Sequence, residues 1–77
     1  MGDNIRVTHE DDTYVVHPQV SRMPDGAFRG LVVVSRYGYA VRLDYECAYG
    51  RRSPEEALAD AREMMPRVAK SLPGAAR

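Results

Sequence analysis

The chain has 77 residues, with 11 basic side chains against 11 acidic ones and a single cysteine. That length allows one domain, residues 1–77, which buries only about 60% of the surface its unfolded form exposes. The charge balance supplies no global field to draw a polyanion, and one cysteine excludes an in-chain disulfide, which points to a reducing compartment.

The opening "MGDNIRV" has neither the basic nor the apolar region of a signal peptide. The longest wholly apolar run, Leu31 to Val34, is too short to span a bilayer. A cytoplasmic protein with no membrane association is expected. Residues 1–12 read as a loose segment, in which the short alternation of Ile5 and Val7 allows a minor edge strand at most. "EDD" at 10–12 reads as a solvated turn or tail.

The first firm strand is "TYVVHPQV", residues 13–20. Pro18 has no amide hydrogen to give to a ladder, so this strand belongs at a sheet edge or turns its amide-free side outward. Pro24-Asp25-Gly26 then has the chemistry of a tight turn and predicts a hairpin into "FRGLVVVSR", residues 28–36. This second strand is apolar on both faces, with Leu31 and Val33 on one and Phe28, Val32 and Val34 on the other. Such a strand sits in the middle of its sheet.

Gly38 marks the next turn. Beyond it, Tyr39, Val41, Leu43, Tyr45, Cys47 and Tyr49 alternate with Ala40, Arg42, Asp44, Glu46 and Ala48 in a clean amphipathic strand. The segment "RYGYAVRLDYECAYGRR" mixes tyrosine with arginine, a texture that suits stacking on bases. The alternation separates them, however. Tyr39 and Tyr45 share the apolar face that meets a helix, while Arg42 stands on the other face beside Asp44 and Glu46, which repel phosphate.

Ser53 is a natural N-cap, Pro54 suits the first helical position and Glu56 completes a capping box. Ala57, Leu58, Ala61, Met64 or Met65, Val68 and Leu72 recur at helical spacing. Pro66 is expected to kink the helix or end it near residue 65. Pro73-Gly74 stops any continuation beyond it, leaving 73–77 flexible.

The expected fold is α+β: a three-stranded antiparallel meander with one C-terminal helix packed on one face, β-β-β-α. The pattern Tyr14, Val16, Pro24-Asp25-Gly26, Phe28 and Ser53 to Ala57 resembles small bacterial domains of this plan, a likeness that implies the fold and carries no assigned activity. The helix "SPEEALADAREMM" is similar to that of HicB-type antitoxin domains. The basic pair before the helix looks like the corresponding part of double-stranded-RNA-binding domains.

The leading expectation for function is a non-catalytic domain that works by protein association, with itself as a homodimer or with another protein. Its interaction face would be the sheet face the helix leaves open, Leu31 and Val33 with Arg42 at the rim. The alternative is an RNA- or DNA-binding module in which Tyr49, Arg51 and Arg52 meet the nucleic acid beside the helix N-terminus. It ranks second because Glu55 and Glu56 occupy the helix's first turn. No pair among His9, His17 and Cys47 has a zinc-ligand spacing, so no metal, cofactor or enzymatic activity is expected.

Overall fold

The computed structural model describes residues 4–38 and 42–72. Its elements are β1 (Ile5–His9), β2 (Asp12–Arg22), β3 (Phe28–Arg36), β4 (Arg42–Arg51) and α1 (Pro54–Lys70). The strands form one antiparallel sheet in the order β1-β2-β3-β4. The α+β class and the C-terminal helix are as expected, but the sheet has four strands rather than three.

The additional strand comes from the segment read as loose. Glu10, with a left-handed φ of 55°, and Asp11 form a tight turn between His9 and Asp12. That turn sets Ile5 opposite Val16 and Val7 opposite Tyr14. Both apolar side chains of β1 thus join the cluster beneath the helix, where Val7 is buried. Two apolar residues suffice because the neighbouring strand is already ordered, and a one-residue slip would turn both to solvent.

β2 is longer than its apolar pattern indicates and lies inside the sheet. Pro18 is accommodated because β1 pairs only as far as Val16, so from Pro18 onward β2 is paired on one side alone among the described residues. The hairpin between β2 and β3 forms as expected. The amide of Gly26 donates to the Met23 carbonyl at 2.9 Å and the Ala27 amide donates to the Asp25 carboxylate at 2.9 Å. Gly26 takes a φ of 87°, which a side chain would disfavour.

Ser53 caps α1 by accepting the Glu56 amide hydrogen at 3.2 Å, and its own hydroxyl donates to the Glu56 carboxylate at 3.0 Å. Pro66 does not end the helix, which runs on to Lys70. Its ring is on the exposed side, while Met65, Val68 and Ala69 around it are buried against the sheet and hold the last turn in place. The core lies between this helix and one sheet face, with Val16, Val32, Val34, Ala61 and Met65 at its centre. Gly30 makes that packing close: a Cβ there would stand 2.1 Å from the Ala57 carbonyl oxygen.

The Tyr39–Val41 part of the third predicted strand and the Pro73-Gly74 stop lie outside the described residues. Among those described, no helix is long and apolar enough to cross a membrane.

Candidate functional site

The open sheet face carries Leu31 and Val33, as the alternation of β3 requires. They are nevertheless only 8% and 1% exposed in the single chain. The cross-strand partners of Val33 are His17 and Asp44, and those of Leu31 are Gln19 and Glu46. Side chains opposite one another in a sheet stand about 5 Å apart, so these polar neighbours close over the two aliphatic ones. They are tied to each other as well. His17 and Gln19 are joined by a hydrogen bond of 3.1 Å, Arg29 pairs with Glu46 at 2.9 Å and Arg42 pairs with Asp44 at 3.0 Å. This face is polar at its surface.

Exposed apolar side chains occur instead along β4 and the turn before it: Leu43 at 53%, Tyr49 at 70% and Tyr37 at 79%. The reason is width. A helix about 10 Å across covers two or three strands spaced about 4.8 Å apart, and α1 lies chiefly over β2 and β3. Tyr45 still reaches the core cluster, but the outer half of β4 is left uncovered.

β4 is also an edge strand, so along its outer side backbone amides and carbonyls meet no other strand among the described residues. The opposite edge, β1, is half as long. From Arg42 to Glu46, β4 pairs regularly with β3. It then bulges. Cys47, Ala48 and Tyr49 stand opposite Gly30 alone before pairing resumes at Gly50 and Arg51.

The bulge and the helix enclose an open groove of about 440 Å³. Cys47 and Met64 meet in it, with the sulfurs 3.7 Å apart. Arg51 spans from strand to helix, donating to both carboxylate oxygens of Asp60 at 2.6 and 3.2 Å, and its guanidinium lies 6.0 Å from the centre of the Tyr49 ring. Asp60 accordingly holds Arg51 more firmly cationic than a free guanidinium. Two acidic groups, Asp60 and Glu63, line the groove against two basic ones, Arg51 and Arg67, while the Glu46 carboxylate is paired with Arg29 on the other sheet face.

This arrangement bears on the tyrosine–arginine texture. Arg51 is engaged by a carboxylate on the helix, and Arg52 stands exposed immediately before the Ser53 cap. Tyr49 and Arg51 are brought together, but Arg51 is paired with Asp60 and Glu63 offsets Arg67 in the same groove, which leaves no net positive charge to hold a polyphosphate.

Burial pushes the Cys47 thiol above its ordinary pKa, and the Asp60 charge adds to the effect against the opposing pull of Arg29 and Arg51. A raised pKa lowers the thiolate fraction near neutrality. Alkylation of Cys47 by iodoacetamide at about pH 8 is therefore expected to be slower in the folded chain than in urea. The difference should shrink as pH rises past the shifted value and both states become thiolate. Faster alkylation of the folded chain, followed by mass spectrometry, would contradict this account. Among the described residues, no group of three histidine, cysteine or acidic side chains is placed to hold a metal ion.

No family model, curated protein or solved structure matches this chain. Leu43 carries no distinguishing mark in the sequence, where it is one more residue on the helix-facing side of its strand. Only the strand count reveals it, because a sheet of four strands is wider than one helix can cover.

Proposed function

We propose that this chain is a non-catalytic protein-association domain of the cytoplasm, which self-associates through the free edge of β4. The observation that carries the reading is the coincidence on one strand of a backbone edge that no other described strand pairs with and exposed apolar side chains, Leu43 and Tyr49. Edge strands left open in this way are ready templates for another strand. The chain's small size favours the same outcome, since an added interface supplies buried area that a domain of this length lacks.

The binding element is therefore the β4 edge, with Arg42 at its rim, and the polar face over Leu31 and Val33 flanks it. Light scattering over a concentration series is expected to give a mass twice that of the chain. Leu43→Lys should return the mass to that of one chain and leave the far-ultraviolet circular dichroism unchanged, because Leu43 is more than half exposed in the single chain. A wild-type protein that stays monomeric at high concentration would overturn self-association through this edge.

A further inference from the structure

We infer that the β4 edges of two chains pair antiparallel with the two-fold axis at Leu43, so that Arg42 of each chain faces Asp44 of the other. The inference rests on the self-association reading and adds the register.

Among the described residues of β4, the regular stretch before the bulge is Arg42 through Glu46, because the bulge begins at Cys47. A continuous sheet requires like faces to meet, so residues directly opposite must have the same parity. The open face then presents one positive and two negative groups in sequence, Arg42, Asp44 and Glu46.

Each placement of the axis has a definite charge outcome. An axis at residue 42 sets Arg42 against its own copy. At 44 it makes two Arg42–Glu46 pairs but sets Asp44 against Asp44, at 45 it sets Asp44 against Glu46, and at 46 Glu46 against Glu46. Like charges directly opposite one another destabilise a sheet. Only an axis at 43 makes opposite-charge pairs, two of them by symmetry, without opposing like charges among these five residues.

The other face points to the same register independently. On that face Leu43 is the exposed aliphatic residue of the regular segment, and an axis at 43 lays each Leu43 against its copy. Because α1 lies chiefly over β2 and β3, the two helices flank this contact without occupying it. The product is one sheet of eight strands, four from each chain.

In the single chain Arg42 and Asp44 pair with each other at 3.0 Å, both about half exposed. On association they exchange that partner for its equivalent across the axis. The experiment separates the two arrangements. Asp44→Arg and Arg42→Asp each break the in-chain pair and each place like charges across the axis. Each variant alone is expected to weaken the dimer at least about tenfold.

An equimolar mixture of the two variants should recover a dimer of one chain of each kind in native mass spectrometry and light scattering. Its in-chain pairs stay broken, so recovery can come only from attraction across the axis. If the dimer persists in both single variants, or the mixture fails to recover, the register is wrong while self-association stands. An axis at 44 would leave Asp44→Arg dimeric and dissociate Arg42→Asp alone. A monomeric wild type would overturn the self-association reading itself.

Discussion

Gly30→Ala is expected to destabilise the chain by about 3 kcal/mol, the upper part of the range for forcing an extra carbon into a packed interface. The contact behind this figure is severe. The added Cβ would lie 2.1 Å from the Ala57 carbonyl oxygen and 3.1 Å from the Ala61 amide nitrogen, both of them backbone atoms of the helix. No rotamer change can relieve a clash with backbone, so α1 must lift from the sheet and loosen the contacts of Ala61 and Met65. A domain of this length has a total stability on the order of 4–11 kcal/mol, so the loss is a large fraction of it. In urea the unfolding midpoint should fall by roughly 2–3 M with an unchanged slope. A loss below about 1 kcal/mol would show that the helix does not approach β3 as closely as described.

Pro66→Ala is expected to act in the opposite direction, stabilising the chain by about 2 kcal/mol. Proline inside a helix is about 3 kcal/mol less favourable than alanine, through the missing amide hydrogen and the ring's conflict with the preceding turn. Against this, proline restricts the unfolded chain, an advantage of up to about 1 kcal/mol that the substitution gives up. Pro66 is exposed, so no core packing is lost. The thermal midpoint should rise by about 10 °C, given the usual sensitivity of domains of this size. A fall instead would mean that the last turn needs the proline to bring Val68 and Leu72 onto the sheet.

The two substitutions bracket what was legible in the sequence. The helix was, because its cap, its first-turn proline and its apolar spacing agree. The β2–β3 hairpin was, because Pro24-Asp25-Gly26 leaves the backbone few alternatives. Pro66 was legible as a local break, but five buried residues of α1 packed on the sheet outweigh one lost bond.

β1 was harder to see for the converse reason. Its own signal is two apolar residues, and what orders it is a register with β2 that no local pattern encodes. The exposed site depended on that missing strand. With three strands, one helix covers most of the sheet and the surplus apolar surface falls to Leu31 and Val33. With four, the uncovered surface moves to the outer strand, and long polar side chains close over the middle of the open face. The expectation of association through the sheet thus leads to a different set of atoms.

The bulge in β4 also constrains how this protein can vary in length. Three residues stand opposite one, an excess of two, so the strand leaves the irregularity facing as it entered. Tyr45 before it and Arg51 after it lie on the same side of the sheet, and Arg51 therefore meets Asp60 on the helix. An excess of one would rotate everything downstream by half a turn, sending Arg51 to the far side and leaving the helix entry without its clasp. Insertions or deletions here should be tolerated in pairs and purged singly, so that viable relatives differ at this point by an even number of residues.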